Sequence, residues 1–294
     1  MSLSPQLDFE TFLSAPLQEV ALVAPDTLIF APGGTRRSAA FAGIKSEDAA
    51  FIRWSRRRAS AVFALMFEHG ARHIFMGLFT QSQYDEVTGG YRERIVDSIK
   101  WGVAGPEALA EYDRLGWRVH LWGAEQIPAL AATVATLKGR QPRYSDYNLW
   151  WFICPRPDWL WRWQAQTFSQ HQVKTQAQAI HALYGEAVPL ATLFLSFGKP
   201  MISPDLFPPL LMGELQCYWS QRPSYDLDQR QFRAILYDYA YQRATWRADK
   251  TGRAEEALAY KALWENGPTL GLGTRVGPHW YPSPIPSPDA ILAE

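Results

Sequence analysis

Short apolar segments alternate with segments of helical periodicity along most of the chain, and this alternation constrains the fold more than any other feature. The predicted strands are Thr27–Ala31, His73–Phe79, Arg118–Trp122, Leu149–Ile153, Thr192–Phe197 and Glu214–Trp219. The predicted helices are Ser46–Gly70, Tyr91–Val103, Pro106–Gly116, Ile127–Leu137, Trp159–Gln172, Asp226–Gln242 and Glu255–Trp264. Such alternation is typical of an α/β protein with a mostly parallel central sheet flanked by helices. Ligands of these sheets bind where strands end, so the loops after the strands are expected to carry function.

The composition restricts the class of protein further. The chain has 294 residues, 47% of them hydrophobic, which suits one globular domain over residues 1–294 with a proline-rich extended tail at 281–294. Lysine and arginine together number 29, as do aspartate and glutamate, so the formal net charge is zero. A general nucleic-acid binder would have a basic excess, and we expect no such partner.

The location of the protein is predicted from what the sequence lacks. No apolar run approaches the roughly 20 residues that cross a bilayer, so no transmembrane segment is expected. The first residues have neither the basic region nor the apolar core of a secretory signal. Cys154 and Cys217 provide no disulfide framework. A reducing compartment, the cytoplasm, is the expected location.

Familiar catalytic motifs do not explain this chain. The sequence contains no GxSxG elbow, no HExxH pair and no GxxxxGKS/T loop. Glu68, His69 and His73 resemble a metal-binding set, but Gly70 interrupts the helix that would align the two histidines, so a structural role is favoured.

The segment Pro32–Arg37 after the first strand is the most informative motif. Gly33 and Gly34 permit a tight turn in which backbone N–H groups converge on one point. Arg36 and Arg37 add permanently charged guanidinium groups that suit phosphate oxygens. The residues predict a diphosphate-binding loop, and the alternative is an ordinary glycine turn with solvated arginines.

At this point the sequence resembles a known family. Gly33–Arg37 after a strand is similar to the first phosphate loop of the cis-prenyltransferase fold, as in the undecaprenyl diphosphate synthase group and, more closely, in the diterpene synthases of that fold. Further similar segments follow in matching order: Met66–Gly70, Val119–Gly123, Tyr184–Glu186, Phe197–Lys199, Ile202-Ser203, Gly213–Leu215 and Ile235–Arg243. The resemblance spans roughly residues 20 to 245, and it implies the fold, an isoprenoid diphosphate substrate and a homodimer.

The resemblance implies roles for individual residues. The expected diphosphate-binding residues are Gly33, Gly34, Thr35, Arg36, Arg37, Lys199 and Arg243, and Arg37 and Thr35 are expected to be catalytic. Donors aimed at charge that develops on a leaving group supply roughly 3–4 kcal/mol each. Asp205 and Glu214 are the candidate ligands for Mg²⁺.

The carbocation left after diphosphate departs needs walls that stabilise it without reacting. Aromatic faces do this through cation–π attraction, and the chain holds 13 Trp, 13 Tyr and 15 Phe. The expected wall residues are Phe51, Phe79, Trp101, Tyr237 and Tyr241, with Phe51 counted as catalytic. The alternative explanation for the aromatic content is a tryptophan-rich core.

The sequence departs from the family at three positions. Gly33 stands where the family has an essential loop aspartate, Phe51 falls where one member has a catalytic tyrosine, and Met201 replaces an arginine of the chain-elongating enzymes. We therefore expect a terpene synthase that ionises a bicyclic diterpenyl diphosphate and releases an alcohol or olefin. Two alternatives stay open, namely transfer of the allylic group to a small nucleophile and a non-catalytic partner subunit.

Overall fold

The structure is a computed structural model that describes residues 7–45, 49–85, 90–140, 145–154, 156, 158–203, 207–242, 251–259, 261, 265 and 269–283. The strands are β1 (Thr27–Ala31), β2 (His73–Thr80), β3 (Trp117–Trp122), β4 (Tyr147–Cys154), β5 (Ala191–Phe197), β6 (Met212–Ser220), β7 (Gly273–Val276) and β8 (His279–Pro282). The helices are α1 (Phe9–Ser14), α2 (Leu17–Ala21), α3 (Thr35–Phe41), α4 (Ala49–Glu68), α5 (Gln81–Tyr84), α6 (Tyr91–Ala104), α7 (Pro106–Leu115), α8 (Ala131–Gly139), α9 (Trp159–Gln170), α10 (Gln176–Tyr184), α11 (Gln229–Tyr241) and α12 (Arg253–Ala259).

The predicted parallel sheet is confirmed. Strands β1 to β6 form one sheet in the order β3-β4-β2-β1-β5-β6, and every neighbouring pair is parallel. The chain fills the sheet on one side of β1 first and then crosses to the other side with β5. The carboxyl end of β1 is therefore at the point where the strand order reverses, which is where ligands bind in sheets of this kind.

Helices cover both faces of the sheet, and each face has its own core. In one core, side chains of α4, α6 and α11 pack against side chains of β1, β2 and β4. Phe63 of α4 and Leu149 of β4 belong to this core. The other core packs α9 and α10 against Phe75 and Trp150, whose parallel rings have centroids 5.2 Å apart. Many of the aromatic residues therefore belong to the core, as the alternative explanation of the composition proposed.

Several elements differ from the prediction. The sequence patterns did not indicate α1, α2, α3, α10 or the antiparallel pair β7–β8. The helix predicted from Asp226 begins at Gln229 instead, where the Asp228 side chain caps it by accepting a hydrogen bond from the Gln231 amide at 2.8 Å. The residues at 281–282, expected in an extended tail, belong to β8, and 284–294 lie outside the described residues.

His69 has the structural role that the sequence favoured. Its Nδ1 is 2.7 Å from the Leu65 carbonyl oxygen, and its Nε2 accepts a hydrogen bond from Arg233 at 3.1 Å. No group of three or more His, Cys, Asp or Glu side chains in the described part of the chain is arranged to hold a metal ion. None of the helices described has the length and apolar character needed to cross a membrane.

Candidate active site

The loop between β1 and α3 forms the centre of the candidate site. All five residues of β1 are buried, and the chain leaves the strand through Gly33 and Gly34. Gly34 has a φ of +74°, a left-handed conformation that side chains rarely adopt, and it directly precedes α3. At Gly33 a Cβ would lie only 2.7 Å from Cδ1 of Phe197 on β5. Close packing against β5 thus explains why glycine occupies the position where the family has an aspartate.

A short 3₁₀ turn at Ser224–Asp226, distant in sequence, forms hydrogen bonds with this loop and with the start of α3. The Gly33 amide donates to Ser224 Oγ at 3.0 Å, and the Ser224 amide donates to the Gly33 carbonyl oxygen at 3.1 Å. Ser38 Oγ donates to Asp226 Oδ1 at 2.7 Å. Because its amide is bonded in this way, Gly33 shapes the loop instead of offering that N–H to an anion, which corrects the expectation that this amide contributes.

The two loop arginines contact neutral groups. Both are exposed. The Arg36 guanidinium lies 5.2 Å from the centre of the Tyr91 ring. The Arg37 guanidinium lies 5.2 Å from the Phe197 ring centre, and its Nη2 donates to His279 Nδ1 at 2.9 Å. Among the described residues no carboxylate forms an ion pair with Arg36 or Arg37, so both charges are available to an anionic ligand.

A cavity of about 700 Å³ extends from this loop between α4, α6, α7 and the sheet. Thr35 and Arg36 belong to its wall. The apolar part of the wall consists of Phe51, Ile52, Ala59, Phe63, Leu78, Ile95, Ile99, Val103, Leu149 and Trp151. A positively charged loop therefore opens onto a mostly apolar space, and the volume is in the usual range for small-molecule sites.

Tyr225 joins the loop to the cavity. It lines the cavity, and its hydroxyl faces the hydroxyls of Ser55 and Thr35. Burial raises the pKa of Tyr225 to about 12, although the two hydroxyl neighbours oppose the shift. The phenol therefore stays protonated near neutral pH and remains a hydrogen-bond donor beside Thr35.

The predicted wall residues are only partly brought together. Phe51 lines the cavity, with its ring stacked near Trp54 at a centroid distance of 6.5 Å. Phe79 is fully buried in β2 and is not part of the wall. Trp101 is also not part of the wall, and its ring lies beneath the guanidinium of Arg56 at 5.6 Å.

Tyr237 and Tyr241 are not in the cavity wall, contrary to expectation. Both pack against Phe12 of α1, with ring centroids 5.5 and 5.8 Å away respectively. The face of α11 that carries these two tyrosines packs against α1. An aromatic sequence pattern alone does not distinguish a helix–helix contact of this kind from the wall of a ligand cavity.

The remaining predicted residues do not assemble a metal site. Lys199 is exposed after β5, and Glu214 is exposed on β6, which lies at the edge of the sheet. Asp205 and Arg243 lie outside the described residues. Since Gly33 contributes no carboxylate, the described residues do not provide a set of side chains that could hold Mg²⁺ on their own.

Sequence reasoning missed Ser224, Tyr225 and His279. Ser224 and Gly33 are separated by 191 positions, and His279 and Arg37 by 242. Contacts over such distances leave no local pattern.

Solved structures with the same architecture place the protein in a class. A probable undecaprenyl diphosphate synthase from Campylobacter jejuni matches with a TM-score of 0.56 and 11% identity, over 75% of this chain and 97% of that one. Lavandulyl diphosphate synthase from Lavandula x intermedia, in complex with dimethylallyl diphosphate, matches with a TM-score of 0.53 and 10% identity, over 77% and 98%. The fold is thus that of the cis-prenyltransferases, and the arginine-bearing loop stands at the carboxyl end of β1.

Sequence relatives narrow this class. The chain is 43% identical over 271 residues to (+)-kolavelool synthase of Herpetosiphon aurantiacus, which covers 92% of this chain and 94% of that enzyme. It is 23% identical over 253 residues to tuberculosinyl adenosine transferase of Mycobacterium tuberculosis, covering 79% and 82%. None of the protein-family models matches the chain. The chain therefore belongs to the family of terpene synthases that includes (+)-kolavelool synthase.

Proposed function

We propose that this protein is a diterpene synthase that ionises a bicyclic diterpenyl diphosphate and converts the cation to a diterpene alcohol or olefin. The allylic C–O bond breaks heterolytically, and the diphosphate leaves with the electron pair. Water then forms a new C–O bond and loses a proton, or a proton is lost directly to give an alkene. The 43% identity to (+)-kolavelool synthase over nearly the whole chain supports this chemistry.

One observation in the structure carries the proposal. Thr35 and Arg36 line the same cavity as Phe51, Phe63 and Trp151. A diterpenyl diphosphate combines an anionic group with an apolar carbon skeleton, so its binding site needs a positively charged loop beside an apolar cavity. Breaking the allylic bond requires stabilisation of the departing charge and no strong base, so the absence of the loop aspartate at Gly33 does not prevent it.

The roles of the loop residues follow from their contacts. Arg36 and Arg37 bind the diphosphate and stabilise its charge as it leaves, each by roughly 3–4 kcal/mol. Thr35, supported by Tyr225, directs a hydroxyl toward the same oxygens. Phe51 offers its ring to the cation and, lacking a hydroxyl, does not transfer a proton.

Three finer assignments accompany the proposal. Mg²⁺ is the expected ion, because it commonly binds through phosphate oxygens with few protein ligands. A homodimer and a cytoplasmic location follow from the family resemblance and from the composition. Diphosphate release with and without added Mg²⁺ tests the first, and sedimentation of the full chain tests the dimer.

A product analysis tests the function. The purified full chain is incubated with farnesyl diphosphate, geranylgeranyl diphosphate and bicyclic diterpenyl diphosphates of the labdane, halimane and clerodane types. Inorganic diphosphate together with an organic-soluble C20 product from a bicyclic substrate supports the proposal. A product that forms only with an added acceptor points to transfer, the activity in the name of the 23%-identical relative.

A matched pair of arginine variants links that activity to the loop. Arg37→Ala is expected to abolish turnover of the accepted substrate while the protein remains folded. Arg57→Ala is the control, because Arg57 is equally exposed but lies on α4, outside the loop between β1 and α3. Unchanged turnover of Arg37→Ala would contradict the assignment of the loop.

A further inference from the structure

A polar cluster interrupts the apolar part of the cavity wall. It consists of Arg56 and Ser60 on α4 and Glu111 on α7. The Arg56 side chain is 12% exposed, and its guanidinium donates to Glu111 Oε2. Ser60 Oγ donates to the same oxygen at 2.9 Å. Arg56 and Ser60 line the cavity, with Glu111 directly behind them. The proposed ionisation step uses none of these three residues.

One buried donor beside this cluster lacks a partner. Among the described residues, no acceptor reaches Nε of Arg56, whereas the Trp151 indole lies beside the Tyr112 hydroxyl, and Arg56, Trp151 and Tyr112 all line the cavity. Buried N–H groups of this kind normally bind ordered water when no protein group is in reach. The nearby Tyr112 hydroxyl stays protonated, because burial raises its pKa far above the ordinary value. This part of the wall is therefore suited to hold a water molecule in a mostly apolar space.

The cluster lies apart from the diphosphate loop but within the same cavity. Ser55 faces Tyr225 beside the loop, and Ser60 is five residues further along α4. At the rise of an α-helix this separation is about 7.5 Å. A water held there does not compete with the diphosphate for the arginines of the loop. The charge of Arg56 is balanced by Glu111, so the pair adds little repulsion toward a cation in the cavity.

We propose that Arg56, Ser60 and Glu111 form the termination site of the reaction, an inference that rests on the proposed function. A water bound at Arg56 and Ser60 attacks the carbocation, and its oxygen supplies the electron pair of the new C–O bond. The resulting oxonium gives a proton to the Ser60 hydroxyl, which passes its own proton to the Glu111 carboxylate. The products are a neutral alcohol and a protonated Glu111, which returns its proton to solvent.

The product ratio tests this assignment. Glu111→Gln preserves the size of the side chain but removes its capacity to accept a proton. A clerodane-type bicyclic diterpenyl diphosphate is supplied in ¹⁸O-labelled water, and diphosphate release is measured beside the ¹⁸O-alcohol and olefin fractions. We expect diphosphate release to stay within about twofold and the alcohol fraction to fall at least about tenfold in favour of olefin, since general-base steps contribute factors of this size or larger. Glu111→Asp should restore part of the alcohol.

Two further variants make the result decisive. Glu107→Gln is the control, because Glu107 also lies near Arg56, at 3.5 Å, yet its side chain is 46% exposed and has no bond to Ser60. Its alcohol fraction should equal that of the unmodified protein. If Glu111→Gln does not fold, Ser60→Ala decides, since it removes one hydroxyl and should lower the alcohol fraction in the same direction.

The outcomes separate the two proposals. An unchanged product ratio in Glu111→Gln and Ser60→Ala overturns the termination site, while continued diphosphate release leaves the proposed function intact. A parallel loss of diphosphate release and alcohol in folded variants also overturns it, because the residues would then act in ionisation. If the unmodified protein releases no diphosphate from any bicyclic substrate, the proposed function itself fails.

Discussion

Placing a side chain at Gly33 should strain the loop, and the strain should depend on Phe197. A Cβ at this position would lie 2.7 Å from Cδ1, 3.1 Å from Cβ and 3.2 Å from Cγ of Phe197. Contacts under 3.0 Å require the ring to move, and Phe197 is also the ring beneath Arg37. Overpacking of this kind costs typically about 1–3 kcal/mol. Gly33→Ala should therefore lower the unfolding free energy by that amount and reduce turnover.

A double-mutant cycle with Phe197→Ala measures the coupling. Once the ring is removed, the contacts at 2.7 and 3.2 Å are gone and only the Cβ of residue 197 stays close to the added methyl group, at 3.1 Å. The stability cost of Gly33→Ala should therefore fall, leaving a coupling of about 1–2 kcal/mol between the contacting residues. Denaturant unfolding of the four proteins gives this value. Gly139→Ala is the control, because a Cβ at Gly139 meets no atom within 4 Å.

Gly33→Asp adds the charge that the family carries at this position. If the site has been rebuilt around glycine, both Gly33→Asp and Gly33→Ala lower turnover, and Phe197→Ala does not rescue the aspartate variant. A higher turnover of Gly33→Asp, or additive stability effects in the alanine cycle, would refute the reasoning from Phe197.

Three further outcomes are expected. Ser224→Ala leaves the partly buried Gly33 amide without its acceptor, so it should lower the unfolding free energy by about 0.5–1.5 kcal/mol and raise KM more than it lowers kcat. Equal effects on both would argue against a positioning role. Tyr237→Phe should leave the product distribution unchanged in mass spectra, because the Tyr237 ring packs on α1. A changed distribution would mean that Tyr237 does contact the substrate. Burial lowers the pKa of His73 from 6.5 to about 4 and that of His120 to about 3, so on acidification the unfolded state takes up protons before the folded state does. The unfolding free energy should therefore be highest above pH 6.5 and should decline by about 1.4 kcal/mol per pH unit for each histidine as the pH falls toward these values. An unfolding free energy that does not change between pH 7 and pH 5 would contradict the burial of both rings.

The sheet was predictable because its strands are marked locally. Thr27–Ala31 is a mostly apolar run that ends at a proline and two glycines, and a glycine or proline likewise follows the apolar runs of β3, β4 and β5. Helix α10 had recognisable signals as well, since Thr175 caps its start and Gly185 ends it, but its glutamine-rich face obscured the apolar period. Short elements such as α3 and the β7–β8 pair carry too few residues for a periodic pattern.

The candidate site was predictable only where it is continuous in sequence. The loop at 33–37 concentrates glycine and arginine, so its anion-binding character is visible without a structure. The contribution of Ser224 depends on a fold that joins positions 191 residues apart. The aromatic residues failed as predictors because Tyr237 of the α1–α11 contact and Phe51 of the cavity have the same composition signal, and only packing separates them.

The partners of the arginines distinguish those whose charge is available to a ligand from those that hold the fold. Arg58 donates to Asp226 at 3.0 Å and to the Tyr225 carbonyl oxygen at 2.6 Å, so its charge is already used in fastening the loop. Arg36 and Arg37 rest instead on aromatic faces, and such contacts are worth about 0.5–1 kcal/mol at exposed sites. Exchanging an aromatic face for a diphosphate oxygen costs little, whereas separating Arg58 from its carboxylate would leave a charge without its partner. The loop is therefore fastened through its backbone to the turn at Ser224–Asp226 while its charges stay available, which is the combination that stabilisation of a departing anion requires.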